Sequence, residues 1–333
     1  MPSREAIIDA PASEAAAAQH HASHPGTSNL GDRLFNSTLW ILGAMILVVA
    51  GLIVLNLAVA ARPLAKDHSL WGFITETQWD PVEDRFGALT FLYGTLVTSM
   101  VSLILAVPVA IGLSLFITQF APPKLGRVLT MPVELLAAIP SVVYGLWGLF
   151  IVVPWLRASV EPWLGKHLGW IPLFQGPPIG LGYLASSMIL AVMILPTIVA
   201  VSVEVMKTTP EATREAALAL GATKWEAVMM TVIPYSRAGI VGAVLLGLGR
   251  ALGETMAVTM VIGNSPQISA SLFAAGYSLP AVIANEFAEA TSSVHVAALA
   301  GLGLILFATT FLLNAGARVL VNAVQRGPRR VSG

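Results

Sequence analysis

Six long apolar runs, separated by polar stretches, set the pattern of this chain. They cover residues 38–61, 93–120, 129–153, 181–206, 239–262 and 294–319. Each is long enough to cross a hydrocarbon core of about 30 Å as a helix. The pattern predicts an all-α, polytopic transmembrane bundle of six spans within a domain over 38–320, flanked by polar tails at 1–37 and 321–333. Pro108, Pro132, Pro140 and Pro196 fall inside the runs. A bundle tolerates such kinks because neighbouring helices and waters satisfy the freed carbonyls; they either bend helices only or mark where a pathway opens. The first tail has no apolar core followed by a small-residue cleavage site, so it does not read as a signal peptide, and its composition predicts disorder. His20, His21 and His24 cluster there without packed surroundings to orient their rings, so they read as a solvated tail.

Of the 333 residues, 56% are hydrophobic and 11% charged, where soluble domains carry about 25% charged residues. A chain this poor in charge cannot cover a soluble globule, so it is an integral membrane protein with the lipid bilayer as its surroundings. No nucleic-acid partner, metal or cofactor is expected, and the absence of cysteine excludes disulfides, iron–sulfur clusters and thiolate metal sites. The positive charges are unevenly placed. One side of the bundle would hold the first tail, Lys124, Arg127, Lys207, Arg214, Lys224, Arg237, Arg318 and the arginines of the second tail; the other holds Arg62, Lys66, Arg85, Arg157 and Lys166. The excess of Lys and Arg marks the cytoplasmic side, which puts both termini and the loop 207–237 in the cytoplasm. On the opposite side Trp71, Trp79, Trp155, Trp163 and Trp170 are expected as headgroup anchors, and Pro280–Ala290 as a short helix with Pro in its first turn.

The loop 207–237 is a charged interruption between two spans. Glu211, Glu215, Ala216 and Ala217 lie in an Ala- and Glu-rich stretch that favours a helix. Gly221 ends that helix or lets it turn, and Lys224, Trp225 and Glu226 begin a second one that Pro234 is expected to terminate. The two alanines leave a face against which another protein can pack closely; an ordinary amphipathic loop helix is the other reading.

Arg250 and Glu254 lie inside the fifth run. A charge at the bilayer centre costs about 2.5–3.5 kcal/mol and marks a functional position by default. Four positions apart, the two can share one helix face. Gly249 and Gly253 have G-x-x-x-G spacing and would let a neighbouring helix approach. The pair is either a structural lock between helices or a weak oxyanion site on a pathway, with Arg250 offering its planar fork to phosphate and Glu254 keeping binding loose. Glu134, in the third run, is expected to bond a neighbouring helix, and His295 to lie at the interface. Gly247, Gly249 and Gly253 do not make a dinucleotide loop, because they sit in an apolar span rather than after a strand. The sequence contains no G-x-x-x-x-G-K-[ST], so no P-loop binds ATP here.

The pattern Glu215-Ala216-Ala217, then Gly221, then Pro234 resembles the EAA loop of importer-type ABC-transporter permeases, with Thr231 where that family usually has an aliphatic residue. The runs 134–150, 247–258 and 285–290 look like the PstC-type permeases of bacterial phosphate uptake, over residues of about 38 to 320. The resemblance implies a MetI-like permease fold in the bacterial plasma membrane. It implies docking of Glu211, Glu215, Ala216, Ala217, Gly221, Lys224 and Trp225 on a cytoplasmic ATPase subunit. It further implies a heterodimer with a second, PstA-type permease, two PstB-type ATPase subunits, an extracytoplasmic PstS-type phosphate-binding protein, and alternating access driven by their ATP hydrolysis rather than by any enzyme activity of this chain. Two alternatives remain open at this stage: a proton-coupled secondary anion carrier with Glu254 as relay, which would need no docking helix, and a permease of the same kind for sulfate or molybdate.

Overall fold

A computed structural model describes residues 30–64 and 69–325. By contacts the chain forms two units, Met1–Ile53 and Val54–Gly333. Most of the predicted tail 1–37, including the three clustered histidines, lies outside the described residues, as do Arg326, Arg329 and Arg330 of the second tail. Helix α1, Leu30–Ala60, already begins at Leu30 rather than at residue 38. None of its apolar window is buried within the chain. A helix apolar on all sides needs hydrocarbon or another protein around it.

The rest follows as a short helix α2 (Leu70–Thr75), a two-stranded hairpin β1–β2 (Trp79–Asp80 and Arg85–Phe86), and the long helix α3 (Leu89–Phe120). Then come α4 (Pro123–Ala138), α5 (Ser141–Leu168), α6 (Tyr183–Lys207), α7 (Glu211–Ala219) and α8 (Lys224–Leu252). The chain closes with α9 (Met256–Val261), α10 (Leu279–Glu286) and α11 (Ser293–Gln325). Six of these helices are long and apolar enough to cross a membrane: α1, α3, α5, α6, α8 and α11. The chain is a multi-pass membrane protein.

Two of the apolar runs do not form single helices. Residues 129–153 are divided at Ile139 and Pro140 into α4 and α5, because Pro140 removes an N–H and drives the residue before it out of the helical region. The spanning helix is therefore α5, displaced toward the C-terminus of the run. Residues 239–262 are divided at Gly253–Thr255 into α8 and α9. Pro234 does not end a helix, as its sequence context suggested. The turn Val228–Val232 is a π turn, and the Ile233 N–H bonds Val228 O. This wider turn displaces the carbonyls with which the proline ring would clash, so α8 runs on from Lys224 to Leu252.

Helix α6 is the axis of the bundle and packs against α3 along one side and α8 along another. The α3 face toward the interior is lined by Thr95, Thr98, Ser102, Ala106, Ala110 and Ser114, all buried. Small residues let helix backbones approach where lipid supplies no hydrophobic drive between helices. Their hydroxyls cost little, because each bonds a carbonyl one turn back, as Thr98 does to Gly94 O at 2.8 Å and Ser114 to Ala110 O at 2.7 Å. The closest approaches fall at glycine: a Cβ on Gly247 would lie 2.8 Å from Ile198, and one on Gly94 would overlap the Tyr277 carbonyl. The loop before α10 closes the top of α6: Ala274 O accepts from the Tyr183 N–H at 3.2 Å and Leu272 O from the Leu184 N–H at 2.8 Å, donors that a helix start otherwise leaves orphaned.

Gly94→Val should cost about 1–3 kcal/mol through overpacking, read as a lower Tm of the detergent-solubilised protein, whereas Gly112→Ala, where a Cβ meets nothing within 4 Å, should leave Tm unchanged or slightly raised.

Candidate functional site

Both helix breaks lie side by side. The short helix α9 packs against the first turns of α5, and a Cβ on Gly145 would stand 3.1 Å from Ala257 and overlap the Met260 sulfur. The first break is spanned by Tyr144, whose buried hydroxyl donates to Leu136 O at 2.7 Å and so satisfies one of the last carbonyls of α4. Across the second, Glu254 Oε1 accepts the backbone N–H of Ala257 at 3.2 Å, which satisfies an orphan donor in the first turn of α9. Half-broken helices meeting at one place are a recurring way of exposing backbone and charge to a solute inside a membrane protein.

Arg250 stands in the last turn of α8, exposed. Gly253, three residues on, ends that helix, so Arg250 lies next to the second break in the chain. The expectation that Arg250 and Glu254 share a helix face does not hold. Gly253 (φ −96, ψ 0) leaves the helix, and Glu254 belongs to the start of the next one. Among the described residues the ion pairs are Arg85–Glu83, Lys207–Glu204, Arg214–Glu211 and His295–Glu286, and Arg250 is in none of them. An intrachain lock between Arg250 and Glu254 is thereby removed.

Among the described residues no helix seats on Gly249 or Gly253: a Cβ on Gly249 meets nothing within 4 Å, and one on Gly253 meets only Gly249 O at 3.7 Å. Gly239 and Gly247 take that part, against Val205 and Ile198. Glu134 lies on the exposed face of α4, whose buried contact is Val133, so it bonds no helix of this chain among the described residues.

The loop 207–237 folds as two helices joined by a tight turn. Helix α7 ends in a Schellman arrangement: Gly221 (φ +90) donates to Leu218 O at 3.0 Å, and Ala222 donates to Ala217 O at 3.2 Å. The left-handed φ is why glycine occupies that place. Two residues on, Thr223 and Glu226 form a capping box for α8. Glu211, Glu215, Ala216, Lys224 and Trp225 are exposed and Ala217 half-buried. No residue of α7 is buried, and Leu220 is 90% exposed. The helix therefore presents an open face with small and apolar positions, its own hydrogen bonds closed. Thr231, the departure from the EAA pattern, lies in the π turn and donates to Ala227 O at 2.6 Å.

At the opposite end of the bundle the sequence had not signalled a polar cluster. Glu286 Oε2 accepts from Trp79 Nε1 at 2.9 Å and meets His295 Nε2 at 3.1 Å. The His295 ring stacks on Phe86 at 5.3 Å between centroids. His295 is buried rather than interfacial, and Trp79 is a tie between hairpin and bundle rather than a headgroup anchor. Trp71, Trp155, Trp163 and Trp170 do remain exposed. Asn285 donates to the Tyr277 hydroxyl at 3.0 Å, and burial pushes that hydroxyl up to about 12, so it stays protonated at neutral pH. Trp79 and Glu286 are 207 positions apart, and no local spacing announces the contact.

These features define a permease: six helices able to span a membrane, two helix breaks that meet, an arginine in no ion pair among the described residues, and an open helical loop between spans. The chain belongs to the family of binding-protein-dependent transport system inner membrane components, whose sequence profile matches residues 94–330. Within that class it is similar to the phosphate transport system permease protein PstC of Mesorhizobium japonicum, 45% identical over 88% of this chain and 90% of that one. It is also similar to PstC of Haemophilus influenzae (40%, covering 89% and 94%) and to PstC 2 of Mycobacterium tuberculosis (40%, covering 89% and 94%). The fold resembles that of the inward-facing MetNI methionine ABC transporter, with a TM-score of 0.56 at 18% identity over 75% of this chain and all of that one. A bacterial alginate ABC transporter in complex with its alginate-bound periplasmic protein aligns with a TM-score of 0.57 at 16% identity, over 86% and 96% of the two chains.

Glu286→Ala should leave the Trp79 and His295 donors unsatisfied and cost about 1–3 kcal/mol, seen as a lower Tm and faster proteolysis at residues 79–86; Glu286→Gln, which keeps an acceptor, should lose less.

Proposed function

We propose that this chain is the permease subunit of an ATP-driven importer of inorganic phosphate and forms one half of its translocation pathway. The observation that carries this reading is the continuity of α8. It begins at Lys224 in the open loop and ends at Leu252, two residues past Arg250. At 1.5 Å per residue it is a rod of about 43 Å, joining the surface where force can enter to the charge beside the second helix break. The PstC names of relatives at 40–46% identity favour phosphate over sulfate or molybdate. The docking loop favours an ATP-driven machine over a proton-coupled carrier.

In this reading both termini and α7 face the cytoplasm, where Lys and Arg are in excess. Two PstB-type ATPase subunits seat on Glu211–Trp225, a PstA-type permease completes the pathway, and a PstS-type receptor delivers phosphate at the hairpin end. The chain hydrolyses nothing itself. Closure of the ATPase pair moves α7 and the start of α8, and the bundle alternates between outward and inward openings. Arg250 meets the anion transiently through its planar fork. Glu254, already bonded to the α9 backbone, holds the break in shape and adds a negative charge nearby. Binding therefore stays weak enough for release.

Arg250→Ala should abolish phosphate uptake in proteoliposomes while the four-component complex still copurifies. Uptake at the normal rate would remove Arg250 from the pathway, and failure to assemble would make it a structural residue.

A further inference from the structure

The cytoplasmic end of α3 is itself a π turn, Phe116–Phe120, closed by the Ala121 N–H on Phe116 O at 2.8 Å. Two successive residues of this turn are gripped from the two halves of the loop. Arg214 of α7 donates through Nη1 to Gln119 Oε1 at 3.2 Å, while its Nη2 holds Glu211 at 3.1 Å. Trp225, in the first turn of α8, lies against Phe120 with ring centroids 6.3 Å apart and planes inclined by 32°. The two contacts leave from opposite sides of the Gly221 turn. Beneath the first of them is a polar cavity of ≈ 220 Å³, lined by Thr118, Gln119, Lys207, Thr209 and Arg214 among others. Arg214 Nε is buried there without a partner among the described residues.

A guanidinium with a donor to spare can shift its bonds as the loop moves. A π turn is a locally widened stretch of helix and recurs at functional sites. Beyond the turn α3 lies along α6 by small residues, so a pull at its end is passed into the middle of the bundle. We infer that the π turn at the end of α3 is a second receiver of the coupling loop's motion, alongside α8, and that Gln119 and Phe120 are positioning residues that convert displacement of α7 into movement of α3 against α6. This rests on the importer reading above.

The test uses the complete complex in proteoliposomes, measuring phosphate imported per ATP hydrolysed. Gln119→Ala and Phe120→Ala should each assemble and hydrolyse ATP near the wild-type rate with a lowered transport ratio, by about tenfold in Gln119→Ala, the order expected when a charge-assisted bond is lost. Gln119→Glu gives Arg214 a stronger acceptor and should keep the wild-type ratio. An unchanged ratio in Gln119→Ala overturns the inference, as does a Glu variant as poor as the Ala variant. Loss of the ATPase subunits on purification would make the turn a structural seat and also overturn it. A wild-type complex that imports no phosphate would remove the importer reading itself; wild-type import with fully coupled variants would remove only the role of Gln119 and Phe120.

Discussion

Hydrocarbon offers no hydrogen bond to a peptide group, so inside a membrane each backbone donor and acceptor must find its partner within protein or a water-filled cavity. An unbroken helix meets this demand by itself, and most of this chain's apolar length is unbroken helix. The two interruptions, at Ile139–Pro140 and at Gly253–Thr255, are where the demand has to be met by side chains. The Tyr144 hydroxyl bonds Leu136 O, and the Glu254 carboxylate accepts from the Ala257 N–H. The polar residues at the centre of the bundle thus have a structural reason to be there before any solute arrives. Arg250 is in none of the ion pairs among the described residues.

The second constraint is distance. Helices in lipid gain little from exchanging hydrocarbon for apolar side chains and must associate by close contact. The Thr, Ser and Ala stripe of α3 and the glycines at 94, 145 and 247 bring backbones together around α6. The same closeness places α9 on α5, so that two breaks far apart in the chain meet. At the loop end, π turns at 116–120 and 228–232 interrupt the regular ladder without breaking the helices. Rigid rods that end in deformable turns suit a bundle that must move without coming apart.

The helices and turn of the loop were legible in the sequence, and contacts between distant segments were not. The open loop was visible because charge, alanine spacing and Gly221 all lie within about twenty residues, and a Schellman turn and a capping box depend on neighbours only. The Arg250–Glu254 pairing was misjudged because helix periodicity was carried through Gly253, where the helix stops. G-x-x-x-G spacing says that a helix can approach Gly249 and Gly253, but only the fold says that Gly239 and Gly247 are the glycines of that helix that meet side chains of α6. The tie of Trp79 and His295 to Glu286 had no linear signature.

By itself the sequence determined that the chain has six segments able to span a membrane, that a charged helical loop lies between two of them, and that Arg250 and Glu254 fall within an apolar run. Length, hydropathy and turn chemistry are properties of short segments and need no knowledge of the rest. Only the tertiary structure decided which breaks meet, that Glu254 bonds the backbone while Arg250 is in no ion pair among the described residues, and that Gln119 and Phe120 contact the loop. Those outcomes depend on which helix faces which. That is settled by summing small contacts over the whole bundle, a sum no local pattern contains.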